Sequence, residues 1–205
     1  MSRFRPLPRA FHQRDAETVA RDLLGRFLVR RRDGTRLALK IVETEAYLGE
    51  GDRASHAWRG VPTNRTATLF RTGGRAYVYL IYGLHHLFNV VAGPRGEGLA
   101  VLVRAGEPVQ GGEEMAANRG LAWPAREGAI AGGPGRLARA LAIDRSHDGM
   151  LLGRGELAIT RGEPVPASRV VVGPRIGVDY AGEAASWPLR FAVNGNRHVS
   201  RPYPW

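Results

Sequence analysis

The chain has 205 residues, enough for one domain with a full hydrophobic core. Hydrophobic residues make up 43% and charged residues 24%, and with 27 Gly and 13 Pro the composition excludes a disordered chain but predicts many turns. The 30 basic and 19 acidic residues give a net charge of +11, which favours a polyanionic partner such as nucleic acid, and the lack of cysteine excludes disulfides, thiol nucleophiles and Cys-ligated metals.

The first residues form a basic, Pro-containing arm, 1–14, that lacks the apolar core of a signal peptide. We expect this arm to be flexible. The most apolar stretch, 77–93, is interrupted by two histidines and falls short of the roughly 20 residues that a membrane helix needs. We therefore expect a cytoplasmic, single-domain protein over residues 1–205, with no membrane partner and no obligate protein partner.

The first third predicts a helix followed by a hairpin. Asp15 can cap a helix with a buried apolar stripe, which Gly25 can end. Two strand-like runs, 26–32 and 35–48, are joined by Asp33-Gly34, a dipeptide that supplies the positive φ angles of a tight hairpin turn. Residues 50–74 then read as a long loop, and loops of this length are usually functional.

The remainder predicts further strands and one helix. A second hairpin has strands at 76–82 and 86–92 around Gly83, and an apolar strand follows at 98–104. Pro134 can open a helix that covers 136–143. Short apolar runs that we expect to close the sheet are 170–172, 176–180 and 189–193. The pattern as a whole predicts an α+β fold with a largely antiparallel sheet.

Two carboxylates share one face of the second predicted strand. The two-residue period of a strand places Glu43 and Glu45 on the same side as Ile41 and Tyr47. Carboxylates buried in an apolar sheet need a partner cation, a water to activate or a metal ion. The alternative is an edge strand with solvated glutamates. Asp52 and His56 follow in the loop, and His56 could ligate a metal, shuttle protons or hydrogen-bond a ligand.

Three tyrosines fall within six residues of the second hairpin. Tyr77 and Tyr79 lie on one face of their strand, where they could stack a base, and Tyr82 lies at the turn, where it could act as a wedge between base pairs. The alternative is the ordinary preference of tyrosine for strands.

Five segments resemble, in the same order, the alkyladenine or 3-methyladenine DNA glycosylase family. The resemblance covers the chain from about Val19 to Ser200. The segments are ETEAYLGEGDRASHAWRG (43–60), AYVYLIYGLHHLFNVVAG (76–93), GLAVLVRAGEP (98–108), GGPGRLARALAID (132–144) and RIGVDYAGEAASWPLRFAV (175–193).

The resemblance implies a role for seven residues. Glu45 is the general base that activates the attacking water, and Glu43 is its neighbour. Arg104 lies beside that water and the DNA backbone. Tyr82 fills the space left by the extruded nucleotide. The pocket around the flipped base is formed by Tyr47, His56 and Tyr79, together with Asn89, which tests the exocyclic groups of the purine.

The resemblance also implies a curved sheet with a protruding, DNA-intercalating hairpin, and a function in base excision repair. The enzyme would flip alkylated or deaminated purines out of duplex DNA and hydrolyse the N-glycosidic bond, without a metal or a cofactor. Its substrates would be 3-methyladenine and 7-methylguanine, extending to hypoxanthine and ethenoadenine. Lys40 is the single lysine, which argues against a lyase that uses a lysine Schiff base.

Two other readings remain open from the residues alone. A non-catalytic nucleic-acid-binding module would use the tyrosine hairpin to stack bases and the arginines to bind phosphates. A metal-dependent nuclease would use Glu43, Glu45, Asp52 and His56 to hold its metal ion.

Overall fold

Eight strands form one curled antiparallel sheet in a computed structural model that describes residues 4–153 and 155–203. The strands are β1 Phe27–Arg32, β2 Thr35–Tyr47, β3 Ala76–Ile81, β4 His85–Val91, β5 Ala100–Gln110, β6 Leu157–Thr160, β7 Val170–Gly173 and β8 Arg190–Val193. The helices are α1 Arg9–His12, α2 Ala16–Leu23, α3 Gly112–Asn118 and α4 Pro134–Ala140, with 3-10 turns at Ala67–Phe70, Arg145–His147, Ala167–Arg169 and Asp179–Ser186. The predicted α+β class and antiparallel sheet are confirmed.

The long strand β2 lies at the centre of this sheet. The main strand order is β3-β4-β5-β2-β1-β6, and β2 pairs with β5 from Ala38 to Tyr47. The opposite edge of β2 pairs first with β1, up to Lys40, and then with β8, from Glu43 to Glu45. Both glutamates therefore lie in the middle of the sheet, and the edge-strand alternative is wrong.

The predicted first helix and first hairpin are confirmed. The Asp15 side chain accepts a hydrogen bond from the backbone N–H of Thr18 at 2.8 Å and caps α2. The turn between β1 and β2 places Asp33 and Gly34 at φ +48° and +79°, the left-handed values that this dipeptide tolerates. Buried residues of α2 and α4, such as Leu23 and Leu137, contribute to the main core against the sheet.

The second hairpin is also confirmed, as β3 and β4. The strand expected at 98–104 extends instead to Gln110, because its polar second half pairs with the first half of β2. Helix α4 begins at Pro134, as predicted, but ends at Ala140 rather than at residue 143. Helices α1 and α3 were not predicted.

One predicted strand is wrong. Residues 176–180 do not form a strand, because Gly177 has φ +75° and a 3-10 turn begins at Asp179. The backbone N–H of Ile176 donates to the Glu45 carboxylate at 2.8 Å instead of joining a sheet. The run is apolar because it lines a cavity, which explains the strand-like pattern.

The N-terminal arm, for which we expected flexibility, lies partly outside the described residues, which begin at Phe4. From there on it packs against the sheet. Phe4 is buried, and the backbone N–H of Leu7 donates to the carbonyl of Ile159 in β6 at 3.0 Å. Across the described part of the chain, every helix is too short or too polar to cross a lipid bilayer.

Candidate active site

A cavity of about 340 Å³ opens between the second hairpin and the segment that follows Arg175. Its walls come from the end of β2, the loop after it, strands β3 to β5 and residues 176–180. Six of the seven residues singled out by the resemblance line this cavity, namely Tyr47, His56, Tyr79, Tyr82, Asn89 and Arg104. Residues that are up to 57 positions apart in the chain (47 to 104) are thus brought to one site.

The seventh residue, Glu45, lies directly behind the cavity wall and is 0% exposed. Its carboxylate accepts hydrogen bonds from groups that line the cavity. The Tyr47 hydroxyl donates to Oε2 at 3.0 Å, and the Ile176 N–H donates to Oε1 at 2.8 Å. Arg104 Nη1 lies 3.1 Å from the same Oε1. Charge and hydrogen bonds together stabilise a buried carboxylate that would otherwise be costly.

The neighbouring Glu43 is engaged differently. Its Oε1 accepts from Nε of Arg104 and from Nε of Arg190, both at 2.8 Å, and from the Ser200 hydroxyl at 2.9 Å. Its Oε2 accepts from the backbone N–H of Ser200 at 2.7 Å. Glu43 is therefore saturated by donors and fixes Arg104, which in turn reaches Glu45. Arg104 is therefore the partner cation that we expected the two buried glutamates to need.

An aromatic wall faces the carboxylate side of the cavity. The His56 and Tyr79 rings meet edge to face with centroids 4.5 Å apart, and Tyr77 and Tyr79 lie 5.5 Å apart. The Nδ1 atom of His56 is 2.9 Å from the Tyr77 hydroxyl. The wall offers the electron-rich faces that attract a flat cation.

Burial controls the protonation of this wall. It lowers the pKa of His56 to about 4, with a smaller contribution from Arg65, so the imidazole is neutral at pH 7. It raises the pKa of Tyr77 to about 12 and that of Tyr79 further. Burial, followed by the charge of Glu45, also raises the pKa of Tyr47 well above its usual value, so the Tyr47 hydroxyl remains a donor.

Asn89 lies on β4 and is buried. Its Nδ2 donates to the carbonyl of Tyr77 at 3.1 Å, which fixes the orientation of the carboxamide in the cavity wall. A fixed amide can discriminate between ligands by the polar groups that they present.

Tyr82 projects from the tip of the second hairpin and is 83% exposed. Its backbone φ of +53° is unusual for a bulky residue. Gly83 in the same turn also has a positive φ, of +66°. Leu84 next to the turn is 77% exposed. An exposed aromatic side chain held on a strained turn at the mouth of a cavity is a feature of functional sites rather than of a hydrophobic core.

Asp52 and His56, the other two residues of the metal-site alternative, do not join the glutamates in a metal site. The Asp52 carboxylate accepts two hydrogen bonds from Arg175, at 2.6 and 2.8 Å, and two more from the backbone N–H groups of Leu48 and Ala54. His56 turns its Nδ1 toward Tyr77. Within residues 4–153 and 155–203 no group of three His, Asp or Glu side chains is arranged to hold a metal ion.

Ile176 and Arg175 were not predicted as parts of the site. Both lie in the last segment that carries the family resemblance, but Ile176 contacts Glu45 through a backbone N–H across 131 positions, which no side-chain pattern reveals. The glycine after Ile176, with its positive φ, is the one local signal that the chain turns there rather than continuing as a strand.

Comparison with known proteins gives a consistent family signal. The sequence profile of the methylpurine-DNA glycosylases matches residues 10–197. A protein of Anaeromyxobacter dehalogenans (strain 2CP-C) is 50% identical over 198 residues, which cover 97% of this chain and 88% of that protein. A Myxococcus xanthus protein is 48% identical (97% and 95% covered), and a Methanocella arvoryzae protein is 47% identical (97% and 97% covered). The name of each of these relatives is that of a 3-methyladenine DNA glycosylase.

Proposed function

Since the chain belongs to the methylpurine-DNA glycosylase family, whose members are DNA-repair hydrolases that act on N-glycosyl bonds, we propose that it excises alkylated purines from duplex DNA with Glu45 as the general base. The observation that carries this proposal is the position of the Glu45 carboxylate. It lies behind an aromatic cavity and is oriented by Tyr47, Arg104 and the N–H of Ile176.

The reaction needs one base and one nucleophilic water. The two donors on Oε1 leave Oε2, which accepts the Tyr47 hydroxyl, as the oxygen that takes a proton from water. The water oxygen bonds to C1′ of the sugar, the C1′–N bond breaks, and its electron pair leaves with the base. Glu45 also stabilises the positive charge that develops on the sugar. The products are a free purine and an abasic site.

The cavity favours bases that carry positive charge. Nucleotides of 3-methyladenine and 7-methylguanine are cationic, and the rings of Tyr79 and its neighbours attract such a base by about 0.5–2 kcal/mol. The leaving purine is then neutral and needs no added proton. Neutral lesions such as hypoxanthine and ethenoadenine would need protonation, and His56, with a pKa of about 4, is a poor acid for that purpose at pH 7. We expect these lesions to be released more slowly.

Access to the cavity requires the damaged nucleotide to leave the helix. Base flipping costs a few kcal/mol, and a side chain that fills the vacated space offsets part of that cost. The exposure of Tyr82 and its place beside the cavity mouth support this role. The net charge of +11 supports attraction of the DNA backbone.

The test is release of free methylated purine from alkylated duplex DNA in the presence of a chelator. We expect the native protein to release base and Glu45→Gln to lose at least about 100-fold in rate, because general-base catalysis contributes about 10²–10⁴-fold. Glu50→Gln, the same change at an exposed position nearby, should retain full activity. Lesion binding by Glu45→Gln should persist.

Each other outcome has a clear meaning. Unchanged release by Glu45→Gln would disprove its role as the base. Tight DNA binding without release by the native protein would favour the binding-module reading. Chelator-sensitive strand cleavage would favour the nuclease reading, which the pairing of Asp52 with Arg175 already disfavours.

A further inference from the structure

A groove of about 550 Å³ adjoins the cavity described above, and the mechanism does not use it. Arg104 and Pro134 line both the groove and the cavity. One wall of the groove comes from residues 126–136 and the other from residues 197–203. The family profile matches residues 10–197, so most of the second wall lies beyond the matched part of the chain.

The network around Glu43 holds the second wall in place. The Glu43 carboxylate accepts from the backbone N–H of Ser200 at 2.7 Å and from its hydroxyl at 2.9 Å. Nη2 of Arg190 donates to the carbonyls of Ser200 and Pro202 at 3.2 and 2.8 Å. These bonds fix the backbone on both sides of Arg201 and leave the Arg201 side chain exposed at the groove.

The groove is strongly basic. Besides Arg104, its lining contains four exposed arginines, namely Arg126, Arg136, Arg197 and Arg201. One acidic residue, Glu127, lies among them and accepts a hydrogen bond from Nη1 of Arg197 at 3.1 Å. The four arginines and one glutamate leave an excess of three positive charges (4 − 1). Like charges in one groove repel one another, and an anion bound between them removes that repulsion.

The shape and the chemistry of the groove favour a chain of phosphates. A guanidinium binds phosphate through two parallel N–H donors, which makes arginine the usual residue for this contact. Gly128, Gly132 and Gly133 also line the groove, so no side chain there keeps a ligand away from the backbone. A DNA strand that delivers a nucleotide into the adjoining cavity has this groove directly beside it.

We propose that the groove binds the sugar-phosphate backbone of the lesion strand next to the flipped nucleotide, with Arg126 and Arg201 contacting phosphates from its two walls. The choice of strand rests on the proposed function, whereas attraction of DNA to the groove needs no base release. Contacts of this kind fix the register of the strand and carry no information about the base.

The first test is the salt dependence of binding to undamaged duplex DNA. Each phosphate contact that is lost lowers the slope of log K against log [salt] by about 0.9. We expect this change in Arg126→Gln and in Arg201→Gln, with binding weakened about two- to fivefold, the effect of one exposed ion pair. The double variant should lower the slope by about 1.8. Arg201→Lys keeps the charge and should keep the native slope.

A matched control is Arg161→Gln. Arg161 is also exposed, but it follows β6, which lies at the opposite edge of the sheet from the β3–β4 hairpin. This variant should leave the slope and the affinity unchanged. A native slope in the double variant would overturn the proposal. An equal loss in Arg161→Gln would also overturn it, because the effect would then come from net charge rather than from the groove.

The second test identifies the strand. Methylphosphonate linkages, which remove the phosphate charge, are placed beside the lesion in either the lesion strand or the opposite strand. Binding is measured in Glu45→Gln, which leaves the lesion in place. Neutral linkages in the lesion strand should weaken binding at least about fivefold more in this variant than in the triple variant that also carries Arg126→Gln and Arg201→Gln. A difference confined to the opposite strand would overturn the assignment.

The two proposals can fail separately. DNA binding that depends on Arg126 and Arg201, without release of base by the native protein, would contradict the proposed function and leave the groove as a DNA-binding surface. Release of methylated purine by a native protein whose salt slope does not depend on these two arginines would contradict the groove alone.

Discussion

Asp52 and Arg175 form a fully buried ion pair across 123 positions of the chain, in which Nη1 donates to Oδ2 at 2.6 Å and Nη2 donates to Oδ1 at 2.8 Å. Arg175 also donates to the carbonyls of Ala46 and Ala184. The pair thereby joins the loop that carries His56 to the segment that carries Ile176. Both of these segments contribute residues to the cavity wall.

We expect Asp52→Asn to lower the free energy of unfolding by about 3–5 kcal/mol, because it leaves a buried guanidinium without its counter-charge. Urea denaturation of the variant and the native protein measures this difference. Asp33→Asn, the same change in an exposed turn, should remain within about 0.5 kcal/mol of the native value. Equal stability of all three proteins would show that the pair is dispensable.

Tyr82→Ser should impair activity without affecting the fold. Because Tyr82 is 83% exposed, we expect a change in stability of less than about 0.5 kcal/mol. Loss of the wedge should weaken lesion-duplex affinity and slow single-turnover release by about tenfold, since base flipping costs a few kcal/mol. Leu84→Ser, at a similarly exposed site beside the same turn, serves as the control and should have the smaller effect. Native affinity and turnover in Tyr82→Ser would refute the wedge role.

Tyr79 should determine the preference for cationic bases. In Tyr79→Leu we expect release of 7-methylguanine to fall about 2- to 30-fold more than release of hypoxanthine, as a cation–π energy of about 0.5–2 kcal/mol implies. Tyr79→Phe retains the ring and should retain the preference. The measurement is the ratio of the two release rates on matched duplexes. An unchanged ratio in Tyr79→Leu would mean that charge recognition lies elsewhere.

His12 should make the protein sensitive to acid. It is 1% exposed, its two ring nitrogens lack a hydrogen-bond partner, and burial, with a smaller effect of Arg14, lowers its pKa to about 4. Between pH 6.5 and 4 the unfolded chain binds a proton at this residue that the folded protein does not. The contribution of His12 to the free energy of unfolding is therefore fully present above about pH 6.5. It is lost as the pH falls toward 4, by up to about 3 kcal/mol.

The check is urea denaturation at pH 7 and pH 4.5. His56 titrates in the same window, so the contribution of His12 is the difference between the native protein and His12→Leu. We expect the variant to lose less stability on acidification. His85→Leu, which changes an exposed histidine on the hairpin, should follow the native protein. Equal losses in the native protein and His12→Leu would contradict the assignment.

The sequence by itself determined the helix cap, the turn and the hairpin whose residues are close together in the chain. The Asp15 cap, the Asp33-Gly34 turn and the tyrosine hairpin each follow from residues that are close in the chain and that satisfy one backbone geometry. The family resemblance likewise identified, from ordered segments, residues that the fold gathers around one cavity.

Only the tertiary structure decided how the charges are paired. The strand period places Glu43 and Glu45 on one face. Their different partners arise because the edge of β2 pairs first with β1 and then with β8, which brings Arg190 and Ser200 to Glu43. Glu45 is left to pair with Tyr47 and Arg104. The apolar run 176–180 reads as a strand until its neighbours are known. The physical reason is that these contacts join groups up to 157 positions apart, and a periodic pattern carries no information about such partners.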